Sequence, residues 1–467
     1  MAGIGFELQR VLKQGGMTGA FKVALAGIII VAGPWLISIV GIFALSRFAG
    51  FALEEGGALF TAAIVYSYAF SLFLFGGLHY IYTRYTSDLI YIKDDSRAFA
   101  TLLLAMIIIG ILSTITAVIG VYFIKTDQVE NLFMYKIFAA VLFVSVNLIW
   151  LVMIFITLLK KYMTIFLVYI LGMLLSFGAV YILGKDYKLG GAMAGFSLGQ
   201  VSILVMLLIL IRYYIKPGNI AREIKPLASY FKKYRFLLGA GIFYSAGIWI
   251  DKIALWFYTG SPVEGTYLVL FEQYDMTVYF ANLTLIPGLV YFMVFSETNF
   301  YVRLRRFLMK LSTRTFTEIQ EEKQSLLKTM LLSIREQSLF QGVITFGLII
   351  LAESINLNLL GGLSSPLTLR LVLSGVFFHL LFLTLLTFLF YLERYKEAFI
   401  TQICFFSINF GGTLYFASLS TPVYGAGYMI SGIITSILSG LYLFRAIHTM
   451  DRRIFGLLER DVIKKGL

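Results

Sequence analysis

The sequence predicts an all-α polytopic membrane protein of about twelve transmembrane helices, built as two parallel six-helix lobes with cytoplasmic termini. Three observations carry that reading. Of 467 residues, 59% are hydrophobic and 13% charged, about half the charge share of a soluble domain. Continuous apolar runs of about 18 residues or more recur along the whole length, each long enough to cross a bilayer. A stretch near the start also returns, position for position, 214 residues later.

Spans are expected near 20–46, 58–82, 99–124, 132–159, 162–184, 191–211, 236–258, 267–296, 338–359, 368–392, 399–419 and 427–446. The runs are continuously apolar instead of alternating, which excludes a β-barrel. With both termini in the cytoplasm, 31 of the 38 Lys and Arg fall on the inner side and six on the outer, leaving Lys252 within a span. Basic residues are retained inside during insertion, so this bias sets the orientation. The net charge of +13 is therefore a topology signal, and no nucleic-acid partner is expected. The first apolar run is too long for a signal peptide and lacks a small-residue cleavage site, so it is expected to stay in the membrane. A single cysteine, Cys404, offers neither a disulfide framework nor a zinc spacing, and no metal or cofactor is expected.

The repeat sets the domain organisation. Ala26, Gly27, Ile28, Ala32, Gly33, Trp35, Ile39 and Phe43 recur as Ala240, Gly241, Ile242, Ala246, Gly247, Trp249, Ile253 and Phe257, eight identities in eighteen aligned positions. Each copy opens a lobe behind a short basic amphipathic stretch, FELQRVLKQ or LASYFKKYR. The lobes are expected at 1–211 and 236–446, joined by a cytoplasmic linker at 212–235, with a tail at 447–467. Parallel repeats related by an axis along the membrane normal are a transporter architecture, with the substrate path between equivalent helices.

Within the repeat, AGPWLIS (32–38) has the counterpart AGIWIDK (246–252), so Asp251 and Lys252 stand where Ile37 and Ser38 do. A charge inside a span is costly against lipid and belongs on a wet wall or beside a partner. Both are candidates for the substrate path. The plainer reading has Lys252 snorkelling and Asp251 bonding a neighbouring helix. Adjacent helical residues point about 100° apart, so the two are not expected to pair with each other. In span eight, Glu272 and Asp275 at i,i+3 are expected on one face; with Glu264 they would form an acidic outer vestibule attractive to cations. The plainer reading for Glu272 is a solvated helix end. Trp35, Tyr244 and Trp249 are the aromatics assigned to the path, since rings with polar edges stack on sugars; most other aromatics belong to lipid-facing or interfacial positions. Pro34 and Pro287 each remove a backbone hydrogen bond and permit a kink. His79, Arg84, Glu297 and Arg303 lie toward the inner face as a candidate cytoplasmic gate, or as ordinary interface charges. The segment 300–337 contains TFTEIQEEKQSLLKTMLLSIREQ, in which Phe316, Ile319, Leu326, Leu327, Met330, Leu331 and Ile334 fall on one helical side. That pattern suits a membrane surface or a partner.

No Walker A sequence, dinucleotide fingerprint or zinc pattern is present, and the three histidines are scattered. The chain is not read as an enzyme, so movement would be powered by an ion gradient or by a partner that pushes. The opening MAGIGFELQRVLKQGG with AGPWLIS, and FEQYD…IPG…ETNF in span eight, resemble the PelG family, within the wider group of multidrug and oligosaccharide-lipid exporters. The resemblance implies an inner-membrane component of Pel exopolysaccharide machinery that carries a growing N-acetylhexosamine-rich polymer outward. It further implies a cytoplasmic glycosyltransferase as partner, together with other membrane subunits, one of which senses cyclic di-GMP. It supplies no catalytic motif, so the site residues rest on the physical reading. A lipid-linked oligosaccharide flippase and a proton- or sodium-coupled small-molecule exporter stay open as alternatives.

Overall fold

The apolar runs leave the backbone one way to satisfy its own polar groups in lipid, and they take it by forming helices. The computed structural model describes residues 8–10, 22–30, 33, 37–38, 41, 44, 57–125, 131–159, 161–263, 266–311, 314–358 and 365–450. Trp35, Pro34 and Glu264 lie outside the described residues.

The helical residues 22–30, α1, precede α2 (Gly57–Tyr91), α3 (Asp95–Tyr122), α4 (Leu132–Leu158) and α5 (Tyr162–Tyr214). Next come α6 (Ile224–Lys233) and α7 (Arg235–Thr259), then a two-stranded hairpin of β1 (Ser261–Pro262) and β2 (Val269–Leu270). The chain continues through α8 (Glu272–Leu283), α9 (Leu285–Tyr291), a π-turn at Phe292–Glu297, and α10 (Thr298–Lys310). It ends with α11 (Phe316–Ile350), α12 (Ala352–Asn358), α13 (Pro366–Tyr391), α14 (Tyr395–Ala417) and α15 (Ala426–His448). Nine of the described helices are long and apolar enough to cross a membrane. By contact the chain forms two compact units, Met1–Leu25 with Met276–Leu467, and Ala26–Asp275. This boundary falls within α8, whereas the linker expected from the repeat lies at 212–235.

In the unit Ala26–Asp275, α5 holds the fifth and sixth spans as a folded-back pair. The break sits at Tyr187 and Lys188, whose φ of 49° is left-handed. Gly191, Gly195 and Gly199 recur every fourth residue on the returning arm. A Cβ on Gly191 would strike the carbonyl of Leu183, one on Gly195 the backbone of Ala179 and Val180, and one on Gly199 the side chain of Ser176. Small residues thus let the two arms touch backbone to backbone, the usual device where lipid gives no hydrophobic drive to association. The same device joins α2 to α7: a Cβ on Gly76 would overlap Ser245, and Gly241 faces the Tyr80 ring and Gly77.

The stretch 212–235 is folded, not an extended tether. Asn219 caps a short turn at Ile220–Glu223, α6 follows, and Gly218 N–H donates to the Ser96 carbonyl at 2.9 Å. Glu223, only 1% exposed, accepts from Arg97 Nε at 2.7 Å and from the Tyr85 hydroxyl. Burial pushes the Glu223 carboxyl up, but the Arg97 and Tyr85 hydrogen bonds prevail and hold it below the ordinary carboxylate range. Nearby, the Tyr230 hydroxyl donates to Asp88 at 3.0 Å, and its own ionisation is pushed up by burial and by that carboxylate.

In the other unit, the segment 300–337 holds the end of α10 and the start of α11, whose first part is the helix expected over Phe316–Ile334. α10 ends at Lys310; α11 starts behind Thr315, which forms a reciprocal capping box with Glu318, and runs unbroken to Ile350, into the stretch where the ninth span is expected. Its expected apolar side is divided. Ile319, Leu326 and Met330 are buried with Phe300, Phe307 and Phe388, while Phe316 and Leu331 stay exposed. Glu322 is held by Lys310 at 2.8 Å and Arg303 at 3.7 Å; the Lys310 hydrogen bond outweighs burial and keeps its carboxyl low. α13, α14 and α15 close this unit, with α14 and α15 so near at Gly412 that a Cβ there would lie 3.0 Å from the Gly427 Cα.

Candidate functional site

Besides Glu223, the unit Ala26–Asp275 holds a second group of buried charges, on α7 and at the start of α8. Asp251 and Lys252 are 0% and 3% exposed. Contrary to the expectation from their 100° separation, they pair directly, with Lys252 Nζ 3.0 Å from Asp251 Oδ1. The four-carbon lysine stem bends back far enough to cancel the angular offset, and the low-dielectric surroundings favour the contact over exposure of either charge. The second oxygen of Asp251 accepts from the Tyr274 hydroxyl at 2.8 Å. Lys252 Nζ also lies 5.5 Å from the centroid of the Trp249 ring, within cation–π range.

Asp275 forms the second part of the cluster. Its Oδ2 accepts from Trp256 Nε1 at 2.8 Å, while its buried Oδ1 has no hydrogen-bond partner among the described residues. Buried polar oxygens are nearly always satisfied; this one differs from other unmet buried atoms of the same unit, such as Asn147 Oδ1 and Ser176 Oγ, in belonging to an acid near the Asp–Lys pair. Above it, the Trp256 and Tyr66 rings stack at 5.0 Å and 17°. Tyr66 clamps the hairpin strand from α2, donating to the Val269 carbonyl at 2.8 Å and accepting from its N–H at 3.1 Å. The arrangement is a buried charged cluster beside two stacked rings and a pinned hairpin. It can hold a proton or a small cation at the open carboxylate oxygen, with Lys252 and Asp251 as neighbours that fix the local charge balance.

The other expected residues fall as follows. Glu272 is exposed and Asp275 buried, so the two carboxylates do not share a surface: Glu272 opens the first turn of α8, where the chain arrives from the hairpin, and Asp275 turns inward to Trp256. Tyr244 and Trp249 are half-buried on α7. Ile37 and Ser38, the repeat counterparts of the charged pair, are half-buried and buried. His79 is buried on α2, and its Nε2 has no partner among the described residues. Arg84 reaches Asp88 at 3.5 Å and stacks on Tyr234. In the other unit, Glu297 is buried, accepts from the Tyr391 hydroxyl, and ends the π-turn. Arg303 pairs with Glu322. The four residues expected as a gate therefore each have a separate setting within their own unit. Near Pro287 the helix is interrupted at Thr284, whose carbonyl accepts from Gln341 Nε2 at 2.9 Å. Among the described residues, no group of three His, Cys, Asp or Glu gathers to hold a metal.

Sequence reading missed Tyr66, Trp256, Tyr274 and Glu223. Trp256 and Tyr274 lie within the stretches that were singled out, and each is an aromatic with a polar edge one helical turn or one residue from a charge. Tyr66 carried no such signal, because its partner is a backbone 203 positions away.

Comparison with solved structures gives the same architecture at low identity. The MATE transporter VcmN of Vibrio cholerae in its bent form aligns with a TM-score of 0.62 at 12% identity, covering 92% of this chain and 97% of that one. The MATE transporter ClbM in complex with Rb+ aligns with a TM-score of 0.58 at 14% identity over 92% and 97%. A MOP superfamily transporter from Pyrococcus furiosus, described as having a binding pocket of reversed polarity, aligns with a TM-score of 0.55 at 15% identity over 91% and 96%. These likenesses establish an all-helical transporter fold. No curated relative matches the chain. The family model for PelG, described as "Putative exopolysaccharide Exporter (EPS-E)", matches residues 1–455, and the chain belongs to that family.

Proposed function

We propose that this protein carries a growing N-acetylhexosamine-rich exopolysaccharide of the Pel type outward across the bacterial cytoplasmic membrane. It does so as a multi-pass subunit of a synthase, with its termini in the cytoplasm. The observation that carries the reading is the family match across 1–455, on a chain whose fold is that of membrane transporters. A cytoplasmic glycosyltransferase would supply both the polymer and the push, since each added sugar advances the chain and the protein offers no nucleotide-binding motif of its own. Other membrane subunits, one of them responding to cyclic di-GMP, complete the machine in this reading. The half-buried Tyr244 and Trp249 give α7 rings on which sugar faces can slide.

The test is reconstitution. Vesicles holding this protein with its glycosyltransferase, fed nucleotide-sugars from the side that bears the enzyme, should accumulate polymer on the opposite side, protected from an added glycosidase. Polymer that stays on the synthesis side, with both proteins folded and associated, would overturn the proposal.

One observation favours a second reading. Asp275, with an unpartnered buried oxygen beside an Asp–Lys pair, is the kind of carboxylate that couples export to a proton or sodium gradient. Gradient-dependent export by this protein alone would favour that reading. A lipid-linked oligosaccharide as cargo would show itself by export that needs the lipid carrier and no elongation.

A further inference from the structure

We infer that α11 holds an acidic phospholipid where it leaves the bilayer, with Lys328 and Arg335 gripping the headgroup phosphate. α11 is one unbroken helix from Phe316 to Ile350. Lys328, Leu332, Arg335, Leu339, Val343 and Phe346 recur on it at spacings of three and four, which places them on a single face. All six are exposed; Leu339, Val343 and Phe346 are 63%, 75% and 66% so. The upper part of α11 enters the stretch 338–359 where the ninth span is expected, and a bare apolar row placed there is covered by acyl chains. The row runs straight up to the two cations, so the occupant of the apolar half fixes the occupant of the charged half.

At the cationic end lies a groove of about 350 Å³, lined by Gln324, Leu327, Lys328, Leu331, Leu332 and Arg335. It contains two cations, one amide and leucines, and no acid. Neither Lys328 nor Arg335 is ion-paired among the described residues, whereas Lys310 and Arg303 on α10, and Arg314 in the turn before α11, have carboxylate partners. The two cations stand about 10 Å apart along the axis, a span their long side chains close by converging on one phosphate. Charge and continuity with the exposed apolar row agree on a lipid with an anionic headgroup rather than a soluble anion. This inference stands independently of what the protein transports.

The experiment uses the full-length protein in detergent with added phosphatidylglycerol or phosphatidylcholine, reading retained lipid by native mass spectrometry. Each interfacial cation favours an anionic lipid by about five-fold, so a preference for phosphatidylglycerol of roughly 30-fold is expected. The double variant K328Q/R335Q should bring the two lipids to near equality, while K232Q, at another basic position, should leave the preference in place. An unaltered melting temperature identifies a variant that is folded. No preference in the native protein, or a preference that survives in the folded double variant, would overturn the inference. Displacement by millimolar glycerol phosphate would also overturn it, assigning the groove to a free anion. Loss of a co-purifying glycosyltransferase in the double variant without any change in lipid would overturn it in favour of a protein dock.

Discussion

Two buried charged clusters lie in the same unit, and they are satisfied in opposite ways. At the basic end, Glu223 has every oxygen engaged: Arg97 and Tyr85 share its carboxylate, and Arg97 Nη2 also reaches the Tyr85 hydroxyl at 3.2 Å. At the hairpin end, the Asp251–Lys252–Tyr274 group is complete, but among the described residues Asp275 keeps one buried oxygen open. A closed network fixes geometry; a half-satisfied one costs stability and persists only where something else benefits. The first ties the 212–235 segment to the ends of α2 and α3. The second keeps an acceptor free among the described residues, and on that ground it is proposed as the place that takes a proton or a cation. Their difference shows that two equally buried charged groups can differ in whether any bonding capacity is left over.

The largest expected effect comes from breaking the hairpin-end pair on one side. Lys252→Met leaves Asp251 buried with only Tyr274, and should cost about 3–5 kcal/mol of stability by unfolding in detergent. The double variant D251N/K252M should recover most of that loss; equal losses in single and double variants would mean that the pair is not what stabilises α7. Glu223→Ala should cost less, about 1–3 kcal/mol, because Arg97 can turn to solvent once released. The same cluster gives a pH signature. The folded Glu223 lies below its unfolded value, so its contribution is complete above the ordinary carboxylate range and is lost as pH falls through the folded value. Melting temperature measured from neutral to acid pH should therefore fall more steeply in the native protein than in Glu223→Gln. The smallest effect is expected from Tyr66→Phe. It removes two hydrogen bonds to Val269 but keeps the stack on Trp256, for about 1 kcal/mol, and Trp emission should stay nearly unshifted.

The spans were legible because bilayer thickness forces long apolar runs, and hydropathy reads those directly. The fifth and sixth spans show where that reading stops: hydropathy placed a gap at 185–190, but the Gly191–Gly195–Gly199 ladder that lets the arms touch is a packing signal. The linker at 212–235 was legible as polar, yet its fold depends on Glu223 meeting Arg97, 126 positions earlier. Within the site, the charges were visible as anomalies in apolar sequence. Their partners were not, since a bent lysine stem and a hydroxyl on another helix are tertiary outcomes that spacing rules do not contain. The same limit explains Glu272, which spacing joined to Asp275 and the hairpin geometry turned outward.

The most direct measurement is export by Asp275→Asn. The amide is nearly isosteric and can still accept from Trp256, so abundance and melting temperature should stay within about 1 kcal/mol of the native values, while loss of the ionisable oxygen should lower polymer export roughly ten-fold or more. Native export from a folded Asp275→Asn protein would contradict a working role for the open carboxylate and return the cluster to architecture.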